Sequence, residues 1–188
     1  MASKIFISYR RDDDPSSASR LRDHLRKHFD VFMDVSNIIP GQRFEGELGK
    51  ALSECDVLIA VIGPRWLELL KSKIASGQQD FVREEIASAL GRKIVVIPVR
   101  IGHTGSMAPL PQTSDLPDDI RELVAYHNHD VAYGHFDRDI AELCEAISKL
   151  APTKRDRPPT ATSAWAQIAW IAIAAGATFF LVRLLLRS

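Results

Sequence analysis

Apolar residues in the first 150 positions fall into two alternating kinds of run. Short apolar stretches at residues 4–9, 31–33, 57–62 and 94–99 predict strands. The last two have no polar interruption, which suits a parallel sheet covered on both faces. Between them apolar residues recur three and four apart, and that spacing predicts helices. Leu21 and Leu25 mark the first; Phe44, Leu48, Ala51, Leu52 and Cys55 the next; residues 81–90 a third, ended by Gly91. Ile140, Leu143, Cys144, Ile147 and Leu150 give one face of a final helix. Asp12, Asp13 and Asp14 before Pro15 are a helix-start signal with proline in the first turn. Residues 35–41, with Pro40-Gly41, read as a loop, and residues 102–117 as a long one. Residues 123–131 are expected to hold a short fifth strand. Strand and helix alternate, so the predicted class is α/β, a doubly wound, flavodoxin-like sheet of five parallel strands over residues 1–150.

The pattern then changes. Residues 151–163 form a basic, proline-containing linker, and residues 164–182 contain no charged side chain on any face. As a helix those positions span roughly 28 Å, close to the hydrocarbon thickness of a bilayer. Trp165 and Trp170 lie near one end, where indoles favour headgroups, and Arg183 and Arg187 lie at the other. Residues 164–186 are thus expected to be a single transmembrane helix contacting membrane lipid. The basic residues Lys154, Arg155 and Arg157 before it favour a main domain on the cytoplasmic side. Met1-Ala2-Ser3-Lys4 has no apolar core of a signal peptide.

Charge refines this division. From residue 151 onward there are five basic residues and one acid, and the chain is neutral overall, so the first 150 residues carry a net −4. A mildly acidic domain argues against a nucleic-acid surface. Cys55 and Cys144 sit in apolar helical patterns without metal-ligand spacing, and the histidines are scattered, so no metal site is expected. Neither a glycine-rich phosphate fingerprint nor a Walker lysine loop is present.

In doubly wound sheets ligands sit beyond the carboxyl ends of the strands. Those ends carry Ser8, Tyr9, Arg10 and Arg11, then Asp34 and Ser36, then Gly63-Pro64-Arg65-Trp66. The run Phe6-Ile7-Ser8-Tyr9-Arg10-Arg11-Asp12, the later Asp34, Ile39-Pro40-Gly41-Gln42-Arg43-Phe44 and Asp56-Val57-Leu58-Ile59-Ala60-Val61-Ile62-Gly63-Pro64-Arg65-Trp66 together resemble the Toll/interleukin-1 receptor (TIR) domain, in its bacterial form. The resemblance covers roughly residues 3–150. It implies a flavodoxin-like fold and, in many members, cleavage of NAD+ at the nicotinamide–ribose bond. In those members the catalytic group is a glutamate in Trp-x-x-x-Glu on the helix after the third strand. The matching text here is Phe81-Val82-Arg83-Glu84-Glu85, a departure that keeps an aromatic ring but loses the indole donor.

Helical phasing separates the two glutamates. At about 100° per residue from Phe81, Glu85 falls at roughly 40° and Ala89 at roughly 80°, inside the apolar arc completed by Val82, Ile86 and Leu90. Glu84 falls on the far side with Arg83 and Ser88. A carboxylate on an apolar edge is costly and so needs a reason. Catalysis is one; a boundary glutamate paired with an arginine is the other. The resemblance favours Glu85 as the catalytic residue, with Ser8, Tyr9, Arg10, Arg11, Asp34, Ser36, Phe44, Trp66 and Phe81 as candidate substrate contacts. Several of these have plain alternatives: Arg10 and Arg11 as solvated cations, Trp66 as sheet packing.

The function expected is a membrane-anchored NAD+ glycohydrolase, with NAD+ as substrate and no cofactor. It would release nicotinamide and ADP-ribose or a cyclic form. The resemblance implies self-association through TIR domains and a place in bacterial defence. The rival is a non-enzymatic adaptor docking other TIR domains through residues 38–41. A pore formed by the span ranks last, because the span has no polar face.

Overall fold

The computed structural model describes residues 3–33, 52, 54–103 and 105–151. Strands β1 (Lys4–Ser8), β2 (Asp30–Met33), β3 (Val57–Ile62), β4 (Val95–His103), β5 (Ser106–Met107) and β6 (His129–Ala132) alternate with helices α1 (Pro15–Leu25), α2 (Trp66–Ser76), α3 (Phe81–Gly91) and α4 (Phe136–Leu150). Five strands are parallel, in the order β2-β1-β3-β4-β6, and the two-residue β5 adds an antiparallel pair to β4. This is the expected doubly wound α/β sheet with one small addition.

Side-chain alternation divides the core into two layers. Ile5, Ile7, Val57, Ile59 and Val61 point to one face, where Leu21 and Leu25 of α1 and Ile140, Leu143 and Ile147 of α4 cover them. Phe6, Leu58, Ala60 and Ile62 point to the other, under Trp66 and Leu70 of α2 and Ile86 and Ala89 of α3. All six residues of β3 are buried. That is why the sequence shows a continuous apolar run there rather than an alternating one.

Three elements differ from the sequence reading. Helix α2 was not expected: only Trp66 and Leu70 are buried on it, while Ile74 is exposed, so its apolar stripe is too narrow to stand out. Its end is marked by Gly77 in the left-handed conformation (φ 63°). The expected fifth strand is present within residues 123–131, as β6 from His129, but the start of that stretch closes an unexpected 3-10 helix, Asp118–Ala125, whose Ile120 and Leu123 are buried. Pro117 followed by two aspartates is the helix-start signal of that segment. The expected long loop holds β5, joined to β4 through Gly105 at φ 82°. Residues 35–41, nearly all of the helix expected over 44–55 and the expected span at 164–186 lie outside the described residues. Within the described residues no helix is long and apolar enough to cross a membrane.

Two helix ends carry testable energetics. Asp14 caps α1, accepting from the Ser17 N–H (3.1 Å) and the Ser16 hydroxyl (2.8 Å), and it also lies 2.9 Å from His103 Nε2. Burial opposes its ionisation, but the Ser17 and Ser16 hydrogen bonds and His103 outweigh burial and hold the carboxyl below its usual value. A carboxyl depressed in the folded state contributes stability above its unfolded pKa and loses it as pH falls through the folded one. Asp14→Ala should therefore cost about 1 kcal/mol near neutrality. In urea titrations that gap should close below about pH 4; a gap constant with pH would contradict the assignment.

At the other end of α3, Lys93 adopts φ 57°, and the Ile94 N–H bonds back to the Ala89 carbonyl (3.0 Å). This is the position past a helix end where glycine is usual, and a lysine there is strained. Lys93→Gly is expected to raise stability by about 0.5–1 kcal/mol in urea unfolding.

Candidate functional site

The alternation of β1 also selects what faces the site. Ser8 shares the parity of Phe6 and therefore points into the layer occupied by α3. There Glu85 lies one turn into the helix, and the Ser8 hydroxyl donates to its Oε2 at 2.6 Å. Both residues are buried, Ser8 to 1% exposure and Glu85 to 8%. Glu84 is half-buried and accepts a hydrogen bond from the Gln79 amide (3.1 Å). The order of burial is the one that helical phasing predicts.

Arg10 continues the same parity beyond the strand end. It is 4% exposed, and its two terminal nitrogens donate to the two oxygens of Asp80 at 3.0 and 2.7 Å. Asp80 is also the N-cap of α3, accepting the Arg83 N–H at 3.2 Å. One buried carboxylate thus joins the loop after β1 to the start of the helix that carries Glu85. The Arg10 guanidinium also lies over the Trp66 ring, 5.1 Å from its centroid.

Here the structure departs from two sequence assignments. Trp66 is 0% exposed, so its ring packs in the core and offers no face on which a ligand could stack. Arg10 is not the solvent-facing cation that a pyrophosphate would meet, because Asp80 already occupies its terminal nitrogens. Arg10 Nε and Trp66 Nε1 have no acceptor among the described residues. Buried unmet donors are costly, at about 1–3 kcal/mol each.

A second tie joins two loops at this end of the sheet. Asp13 accepts the Arg65 N–H at 2.8 Å, linking the loop after β1 to the loop after β3. Burial pushes the Asp13 carboxyl above its ordinary value, against the opposing pull of the Arg65 and Gly63 N–H groups. Gly63 leaves the space that Asp13 fills: a Cβ on it would lie 2.6 Å from Asp13 Cγ, so the carboxylate would have to move. Arg65 in turn pairs with Glu68 (2.8 Å) on the surface of α2.

The remaining candidates divide. Tyr9 is half-buried against the α1–α4 layer, the opposite side from Glu85. Arg11 is exposed at the strand end, and Phe81 is 42% exposed on the first residue of α3. Asp34, Ser36 and Phe44 lie outside the described residues. The sequence reading passed over Asp80. Its signal was an aspartate directly before a helical run, an N-cap pattern, and nothing in the sequence showed that it would also bind Arg10.

A parallel sheet of this strand order defines a flavodoxin-like α/β domain, and the buried Ser8–Glu85 pair lies at the carboxyl end of β1, the side on which such folds bind ligands. The family model for the TIR domain matches residues 5–144, and the chain belongs to that family. It is 31% identical over 124 residues to the NAD(+) hydrolase SARM1 of Danio rerio, covering 65% of this chain and 16% of that protein. It is 26% identical over 157 residues to a probable 2' cyclic ADP-D-ribose synthase, BdTIR, of Brachypodium distachyon, covering 77% of this chain and 66% of that one. The chain therefore matches only a small part of the SARM1 protein. In fold it is similar to the TIR domains of the activated Roq1 resistosome, with a TM-score of 0.56 at 15% identity over 78% of this chain and 99% of that one.

Proposed function

We propose that this chain cleaves NAD+ at the nicotinamide–ribose bond, with Glu85 as the catalytic carboxylate. The observation that carries the reading is the buried Ser8–Glu85 pair at the carboxyl ends of the strands. The activities named for the SARM1 and BdTIR relatives support it.

In hydrolysis the C1′–N1 bond breaks and its electron pair neutralises the pyridinium nitrogen, releasing nicotinamide. The ribose gains oxocarbenium character, which a carboxylate held in a dry site stabilises far better than water does. A water oxygen then bonds to C1′, and its proton passes through Glu85 to solvent, leaving ADP-ribose. A ribose hydroxyl of the same substrate in place of water would give a cyclic product. Ser8 positions the carboxylate by donating to one of its oxygens. The Asp80–Arg10 pair positions the helix on which Glu85 rides.

The proposal extends to the whole chain. Self-association of TIR domains completes the site, and residues 164–186 anchor the protein in a membrane with the TIR domain on the cytoplasmic side. Confinement to two dimensions raises the effective concentration of the domains. Triggered NAD+ depletion in defence is the physiological role that fits this arrangement.

The test is free nicotinamide released from NAD+ by the full chain, dilute and then clustered on beads. Release that rises on clustering is expected; none under either condition would contradict the enzymatic reading. Ser8→Ala should lower release about tenfold with the fold retained, the scale of a lost hydrogen bond to a charged group. An unchanged rate would remove Ser8 from the site.

A further inference from the structure

A cavity lies away from the Ser8–Glu85 pair, at the amino-terminal ends of β4 and β6. It has a volume of about 770 Å³ and lies between the end of α3, the start of β4 and the last turns of α4. Leu90, Val95, Leu143 and Ala146 contribute apolar walls, and Tyr126, His127 and Lys93 also line it. That size and composition fit a small-molecule site, which is characteristically apolar with a few placed polar groups.

The polar groups are unequally committed. Glu122, the acid lining the cavity, accepts the Tyr126 hydroxyl at 2.9 Å. Lys93 is exposed and has no ion pair among the described residues. It also stands at φ 57°, where glycine would relieve the backbone. A backbone outlier is a reason to ask what its side chain does. Here it sets an uncommitted ammonium beside an apolar cavity.

We infer that this cavity binds a small amphipathic anion, with a flat apolar body between α3 and α4 and a carboxylate, sulfonate or phosphate on Lys93. The inference depends neither on Glu85 nor on NAD+ cleavage, and it can fail while that reading stands. The cavity does adjoin the far end of the helix that carries Glu85, about 7.5 Å along the axis from it to Leu90.

The experiment titrates the full chain with 8-anilinonaphthalene-1-sulfonate and with its uncharged analogue N-phenyl-1-naphthylamine. Amide shifts in 1H–15N spectra locate binding and separate the cavity from other apolar segments. Saturable shifts are expected at Leu90, Gly91, Val95 and Ala146. Lys93→Gly, which should fold at least as well, should weaken the sulfonate about fivefold, the scale of one exposed ion pair, and leave the uncharged analogue unchanged. Ala146→Trp, which fills the cavity from the surface of α4, should abolish binding of both probes. Absence of saturable shifts at these amides, or equal sulfonate affinity in the Lys93→Gly protein, would overturn the inference.

Discussion

Replacing Asp80 by alanine is expected to cost about 3–5 kcal/mol of stability, among the largest effects of any single change in the described residues. Three losses coincide. Arg10 is left charged and 4% exposed with no counter-ion, α3 loses its N-cap, and the loop after β1 loses its tie to the helix. The first dominates, because the cap alone is worth only about 1 kcal/mol. A control separates burial of a bare charge from loss of the pair. In the double variant Arg10→Met, Asp80→Leu no charge is stranded, and the cost should fall well below that of Asp80→Ala. Urea unfolding of the full chain reads both. Equal costs would mean that the pair matters through packing and capping rather than through charge. A cost below about 1 kcal/mol for Asp80→Ala would mean the ion pair does not hold this end of the domain.

The second large effect falls on activity. Glu85→Gln keeps the size of the side chain and retains an oxygen to accept the Ser8 hydroxyl, but it removes the negative charge. If the carboxylate stabilises a developing oxocarbenium ion, losing the charge should reduce nicotinamide release by about 100- to 1,000-fold, the range for a preorganised electrostatic group. Stability should change little or improve, since burying an amide is easier than burying a carboxylate. Greater stability together with lost turnover would mark the residue as kept for chemistry rather than for folding. Glu84→Gln should stay within about twofold, because that side chain is half-buried and engaged with Gln79 outside the Ser8 contact.

Much of this domain was legible because its sheet is covered on both faces. The buried runs of β1, β3 and β4 leave little choice but a parallel α/β sheet, and two-residue alternation places Ser8 on the Glu85 side. Phasing from Phe81 separated the two glutamates for the same reason: the apolar arc of α3 is wide. Helix α2 escaped because two buried residues in eleven make a weak stripe. The 3-10 segment Asp118–Ala125 escaped because its buried pair, Ile120 and Leu123, is three apart, a spacing that α and 3-10 helices share.

The site was legible in its chemistry and less so in its wiring. A buried glutamate announces itself by violating the apolar pattern. Arg10 carries no such mark, since an arginine after a strand normally reaches water; only tertiary packing brings Asp80 to it across 70 positions. Trp66 was ambiguous on the same grounds. A large aromatic at a helix start suits either a ligand or a core, and here the core surrounds it completely.

The central claim is that a carboxylate sequestered beside Ser8 breaks the glycosidic bond of NAD+. Its most direct test measures nicotinamide release by the full chain clustered on beads, in the unaltered protein and in Glu85→Gln and Glu84→Gln at matched density. The account predicts turnover in the unaltered protein, near-complete loss in Glu85→Gln and little change in Glu84→Gln. Equal turnover with and without the Glu85 charge would contradict it.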